Sequence, residues 1–215
     1  MTQKLIINYE FQRLDVLRRL LTSKKALNQF RRVEAGAQGE DRLNELLTEY
    51  GMNHWIISRN VWFNEFSDFE CGFILLTGHA VYVFEVKNYF GQFVYKNGQC
   101  TSRGTEITYN PINQARNATI HLRNLTQKFD SLIPVKGMLV FIGEHNQVEI
   151  KDPIDYITII RSNEISEYIQ QIIDEEHRHP DHGVALKKLS NYYNHLEIPN
   201  PHGPKPFTLR EMKAA

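Results

Sequence analysis

Glu85 and Lys87 stand two residues apart at the end of the apolar run Val81–Lys87. Alternate side chains of a strand share a face, so a strand here presents a carboxylate and an amine side by side. Tyr82, Phe84 and Val86 take the opposite face and read as core. Metal-dependent phosphodiester cleavage uses such a pair: the carboxylate holds a divalent cation, while the ammonium orients or helps deprotonate the attacking water and offsets phosphate charge. An exposed cross-strand ion pair has the same spelling, and at this point both readings stand.

Two further groups bear on that choice. Glu40 lies three and seven residues before Leu43 and Leu47, on the inward stripe of a helix, where a carboxylate needs a partner. Placement in a first helical turn, complementing the helix dipole, is the plainer account. Asn110-Pro111 starts a later helix, with Asn110 as cap and Pro111 in the first turn. That start puts Gln114 near the face carrying Asn117 and His121, either as a solvated helix beginning or reaching toward a phosphate or a metal ligand.

The elements that must carry these groups follow from pattern and turn chemistry. A helical extension spans 10–32, and Gly36 and Gly39 break it before a second helix over 40–50. Strands are expected at 55–58, 69–77 and 81–87. Two more follow, 92–95 and one near Cys100, joined by a type I′ turn at Asn97-Gly98, so that the sheet to this point is a meander. The helix from Asn110 runs to about Lys128, and the apolar run 135–142 is then a central strand reached by an α/β crossover. A strand at 156–160, helices at 163–173 and 184–193, and a proline-rich tail complete the chain.

These residues resemble the nuclease-related domain, a branch of the PD-(D/E)XK nuclease superfamily. The resemblance rests on Gly36-Ala37-Gln38-Gly39-Glu40 with Leu43, on 73–77, on Val81-Tyr82-Val83-Phe84-Glu85-Val86-Lys87-Asn88-Tyr89-Phe90-Gly91, on 110–114, and on 135–141, in the family's order over roughly 34–142. It implies an α/β restriction-endonuclease-like mixed sheet flanked by helices, with helical extensions at both ends. By resemblance Glu40 is the acid of the first helix, Glu85 and Lys87 are the signature pair, and Gln114 is the glutamine of the following helix. The implied function is Mg²⁺-dependent (or Mn²⁺-dependent) hydrolysis of nucleic acid, with DNA the favoured polymer.

The family pattern has an aspartate, normally the central metal ligand, thirteen residues before the glutamate, where this chain has Gly72. Glu70 is the substitute ligand offered, beside Glu40 and Glu85, although it lies about 6–7 Å along a regular strand from that position. A bulge at Gly72 would swing Glu70 or the Cys71 carbonyl inward. If nothing replaces the aspartate, the alternative is a catalytically impaired nucleic-acid-binding module of the same fold.

Composition limits the remaining classes. Twenty-five Lys and Arg balance twenty-five Asp and Glu, so nucleic-acid contact must come from a local patch. One such patch is residues 1–33, where Lys4, Arg13, Arg18, Arg19, Lys24, Lys25, Arg31 and Arg32 face only Glu10 and Asp15. Phosphate contacts are therefore expected from Lys87, Gln114, Asn117, Arg18, Arg19, Arg31 and Arg32, with a solvated helix face as the plainer reading of the four arginines. Cys71 and Cys100 suggest neither a disulfide framework nor a zinc pattern, and His177, His179 and His182 read as a solvated loop. Trp62, Phe63, Phe66 and Phe69 read as core and sheet edge in preference to base-stacking groups. No membrane span, secretory signal or organic cofactor is expected, and the compartment expected is the cytoplasm. The division expected is a basic helical extension at 1–33, a core at 34–160, and C-terminal helices with a proline-rich tail at 161–215.

Overall fold

The computed structural model describes residues 24–143, 145–179 and 186–201. Expectations for Arg18, Arg19, His182, Pro204 and Pro206 lie outside the described residues.

A helix, α1 (Lys24–Tyr50), is followed by three strands, β1 (Ile56–Asn64), β2 (Asp68–Leu76) and β3 (Val81–Lys87). Then come β4 (Gly91–Lys96), β5 (Gln99–Ser102), β6 (Thr105–Glu106), α2 (Pro111–Phe129), β7 (Val135–Phe141), β8 (Asn146–Ile150) and β9 (Ile157–Arg161). A 3-10 turn leads into α3 (Ile165–Arg178), and α4 (Leu186–Leu196) and β10 (Glu197–Ile198) end the described chain. The main sheet has the order β10-β1-β2-β3-β7-β9, antiparallel through β3 and parallel from β3 across β7 to β9. This is the expected mixed sheet flanked by helices, consistent with a restriction-endonuclease-like fold.

Each face of the main sheet has its own core. Leu43 and Leu47 of α1 and Ile169 and Ile172 of α3 pack on Phe73, Phe84 and Val140. On the other face Leu122 and Leu125 of α2 and Leu189 and Tyr193 of α4 cover Ile74, Val83 and Cys71. Burying a Leu, Val or Phe side chain stabilises by about 1.5–3 kcal/mol, so helix and strand positions here are set by packing more than by propensity.

Several expectations need correction. The helix does not break at Gly36 and Gly39 but runs through both, at about 1 kcal/mol per interior glycine relative to alanine. At Gly39 closeness is the reason for the residue: an added Cβ would lie 3.0 Å from Asn88 Cβ and 3.1 Å from Ile142 Cγ2. The glycine lets α1 sit down on the ends of β3 and β7. The strands after β3 do not continue a single meander, because β4 leaves the main sheet and pairs with β5 and, in parallel, with β8 in a second sheet of order β6-β5-β4-β8. Phe93 and Cys100 of that sheet pack with Phe141 and Leu139 of the main sheet and Ile112 of α2. The turn Asn97-Gly98 forms with both residues at positive φ, 52° and 76°, as a type I′ turn requires.

The alternation of faces reverses partway along β1 and β2. Ile57 and Phe73 belong to the α1 side, whereas Val61, Phe63, Phe69 and Cys71, also odd-numbered, belong to the α2 side. The pairing nevertheless keeps one register on both sides of the change, Arg59 with Phe73 and Val61 with Cys71. No extra residue is inserted, so the bulge expected at Gly72 is absent. The two strands turn over together at the intervening rung, Asn60 opposite Gly72, where Asn60 has φ of 52°. Asparagine tolerates the left-handed region better than most residues, and its neighbour across the rung has no side chain to obstruct the turn.

Candidate functional site

The β2–β3 ladder runs from Leu76↔Val81 to Phe73↔Phe84 and stops there. The next rung would join Gly72 to Glu85; instead the strands part, and their ends form the two arms of a fork. A cleft of about 400 Å³ fills it, lined by Glu40, Asn60, Glu70, Gly72, Glu85, Lys87, Gln114 and Asn117 among others. α1 supplies Glu40 from one face of the sheet, while Gln114 and Asn117 come from the first turns of α2 on the other. That start of α2 is fixed by the Asn110 side chain, which accepts hydrogen bonds from the Ile112 and Asn113 amides at 2.9 and 3.3 Å.

The carboxylates are held by neighbours of opposite charge. Lys87 Nζ lies 2.5 Å from Glu85 Oε1, with both side chains about one-fifth exposed. Burial pushes the Lys87 ammonium toward losing its proton, but Glu85, Tyr89 and Glu40 more than offset this, so its pKa is raised. Lys87 is therefore a fixed cation, suited to holding an anion or orienting water and poorly suited to accepting a proton. Glu40 Oε2 accepts from Arg59 Nη2 at 3.3 Å and from Asn60 Nδ2 at 3.5 Å. Its pKa is nonetheless raised, first by burial and additionally by Glu85, against the opposing pull of Arg59 and Asn60. With Oε2 occupied, Oε1 faces the space beside Gly72, 4.0 Å from where a Cβ would stand.

Arg59 and Asn60 are the parts of this arrangement that sequence reasoning missed. The available signal was an Arg-Asn pair interrupting an otherwise apolar strand. Arg59 also reaches Asp41 Oδ1 at 2.7 Å, binding two consecutive acids of α1 to β1.

Several candidates lie elsewhere. His121 does not line the cleft; it stacks on Phe69 with ring centroids 4.8 Å apart and meets Glu65 Oε2 at 3.3 Å. Arg31 and Arg32 are exposed on α1 outside the cleft lining. Phe63 and Phe69 are core residues, while Phe66 is exposed. Cys71 and Cys100 are buried free thiols, and burial pushes Cys100 up to about 11 and Cys71 higher, so neither is a nucleophile at neutral pH. His179 stacks on His79, 4.5 Å between centroids, on the helix end at the closed side of the β2–β3 hairpin.

The oxygen donors of the cleft meet only part of what a magnesium ion requires. Mg²⁺ takes oxygen ligands, commonly one or two carboxylates completed by water and substrate phosphate. Glu40 and Glu85 offer such a pair, and the Gln114 Oε1 acceptor, buried at the cleft wall, has no hydrogen-bond partner among the described residues. Among the described residues, however, no three His, Cys, Asp or Glu side chains gather closely enough to hold a metal ion. Glu70 lines the same cleft without completing such a group.

No helix among the described residues is long and apolar enough to cross a membrane. No curated protein and no solved structure matches the chain. The family model of the nuclease-related domain matches residues 35–142, half of the chain, from the middle of α1 to the end of β7 and so across every arm of the fork. With the order of its motifs, the mixed sheet and the cleft all in accord, the chain belongs to the nuclease-related domain family, whose wider setting is the PD-(D/E)XK nuclease superfamily.

Proposed function

We propose that the cleft binds a nucleic-acid phosphodiester, DNA foremost, and hydrolyses it with Mg²⁺. The observation that carries this reading is the meeting of Glu40, Glu85, Lys87 and Gln114, drawn from two helices and a strand, at the point where β2 and β3 part. A Mg²⁺ held by Glu40 and Glu85, with Glu70 as an auxiliary ligand, would supply Lewis-acid polarisation of the phosphoryl oxygens. The protein's own groups do the rest. Lys87 meets the phosphate charge and orients water, the Gln114 carbonyl oxygen accepts a hydrogen bond from that water, and Asn117 borders the path of the backbone. Arg59 and Asn60 keep Glu40 turned toward the reacting centre.

A second reading, binding without hydrolysis, is favoured by one observation: among the described residues nothing stands within 4 Å of a Cβ at Gly72 except Glu40 Oε1, so the place of the family's aspartate is open. Loss of a metal ligand weakens the metal and leaves Lys87 and Gln114 as phosphate contacts. The test is cleavage of plasmid and single-stranded DNA in Mg²⁺ or Mn²⁺, with EDTA, Lys87→Ala and Gly72→Asp run alongside. Metal-dependent cutting that Lys87→Ala abolishes supports hydrolysis. Cutting by Gly72→Asp alone favours the binding reading, and neither cutting nor binding by any form sinks both.

A further inference from the structure

Each arm of the fork ends in an exposed aromatic ring. β2 begins at Asp68, and Phe66, two residues before it, is 84% exposed. β3 ends at Lys87, and Phe90, three residues beyond, is 63% exposed. Because β2 and β3 are antiparallel, the start of one and the end of the other lie at the same, open end of the fork. A third ring, Tyr109, 74% exposed, directly precedes the Asn110 cap of the helix that carries Gln114. Leaving such rings in water forfeits the gain of burying them, and nothing among the described residues covers them.

The two arm-end rings each carry a cation. Arg103 lies with its guanidinium carbon 4.9 Å from the Phe90 centroid, and Lys128 Nζ, which also donates to Glu65 Oε1 at 3.2 Å, is 5.7 Å from that of Phe66. Arg103 is not there by side-chain drift. It sits at φ 51° beside Gly104 at φ 73° in the β5–β6 turn, and its Nε donates to the Phe90 carbonyl at 2.9 Å. An apolar partner surface would find both rings already flanked by charge, whereas a polyanion with flat aromatic faces finds a stacking surface and a phosphate contact together.

We propose that the fork takes single-stranded nucleic acid, with Phe66 and Phe90 stacking unpaired bases at its two arm ends and Lys128 and Arg103 contacting the adjoining phosphates. The proposal rests on the reading of the cleft as a phosphodiester site and adds the substrate class. A duplex keeps its base faces stacked inside and offers such rings nothing to lie against. A single strand exposes every base face, and stacking tolerates any sequence.

The test is fluorescence anisotropy of the full chain, with Ca²⁺ in place of Mg²⁺, against a labelled 20-mer, its duplex, and an abasic strand of equal length. The expected result is binding of the 20-mer at least tenfold tighter than of either control. Phe66→Ala and Phe90→Ala each weaken the 20-mer by about 5- to 150-fold, the range for one base–aromatic stack, and leave the abasic strand unchanged. Both rings are exposed, so unchanged melting temperatures are expected to confirm that the variants fold. Equal binding of strand and duplex, or phenylalanine variants that bind like the native chain while Lys87→Ala weakens every ligand, overturns the inference and leaves the cleft reading intact. Binding to a protein partner with no affinity for any of the three ligands overturns both.

Discussion

Gly72→Asp is the perturbation whose outcome the geometry fixes most closely. Among the described residues a Cβ at this position meets only Glu40 Oε1, 4.0 Å away, so the new side chain enters without steric conflict. Replacing a strand glycine gains about 0.5–1 kcal/mol from the less flexible unfolded chain. Against that, the aspartate carboxylate comes to about 4 Å from Glu40, a repulsion of ~1 kcal/mol in water and ~4 kcal/mol at an effective dielectric of 20. The balance without metal runs from about zero to a net loss of about 3.5 kcal/mol, or a melting temperature lower by up to roughly 14 °C for a chain of this size. A divalent cation reverses the sign by sitting between the acids, and at a hundredfold excess over its Kd it returns about 2.7 kcal/mol. The assay is thermal unfolding of native and Gly72→Asp proteins at pH 8 in EDTA and across a Mg²⁺ titration. An aspartate form that melts with the native protein in EDTA and ignores Mg²⁺ would refute the claim that these carboxylates converge on Gly72.

Three further outcomes are expected. Arg59→Gln removes the strongest pull against protonation of Glu40, so the Glu40 carboxyl titration, followed by NMR, moves to higher pH; an unmoved midpoint means that Arg59 does not govern this acid. Because the folded-state pKa of Glu40 already lies above 4.5, its ionisation costs stability as pH rises through that value, and the variant deepens the cost. Glu176 behaves oppositely. Burial works against its ionisation, yet hydrogen bonds from His54, Trp55 and the Gly78 amide, each 2.6 Å, leave its pKa lowered. Its contribution is full above pH 4.5 and disappears as pH falls through the folded value, and Glu176→Ala lowers stability by about 3–5 kcal/mol at pH 7, measured as a urea midpoint shift. Gly137→Ala places a methyl group 2.5 Å from Ile157 Cδ1 and closer still to the Thr119 side chain. The overpacking costs about 1–3 kcal/mol, and an unchanged denaturation midpoint would mean that α2 and β7 approach less closely than described.

What the sequence made legible follows from how local each signal is. Val81–Lys87 was readable because its core face and its Glu-x-Lys face alternate without interruption. Asn97-Gly98 and Asn110-Pro111 were readable because turn and cap chemistry depends on few neighbours. Glu40 stood out as a charge on an apolar stripe, and the cleft does receive it. β1 was seen only to Ser58 because the face reversal at Asn60 destroys the period-two pattern, although the strand continues to Asn64. β8 was missed because Asn146–Ile150 alternates between half-buried and exposed residues and owes its place to a partner fifty-five residues upstream. Gly36 and Gly39 read as a break because the surface that makes Gly39 useful, the end of β3 and Ile142, is remote in sequence. The Arg59–Glu40 pair likewise depends on the eighteen residues between them folding back.

β1 and β2, which turn over together at Asn60 and Gly72, each contribute to both hydrophobic cores. β2 gives Phe73 and Leu75 to one and Phe69, Cys71, Ile74 and Leu76 to the other. The fork is therefore a seam stitched from two sides, unlike the many sites borne on loops that open independently of the body. Loosening either core pulls on the seam, and freeing the seam demands that both cores give way. Slow amide exchange at buried β2 positions, close to the rate of global opening, is the corresponding signature. A cleft so placed keeps its width as long as the protein stays folded.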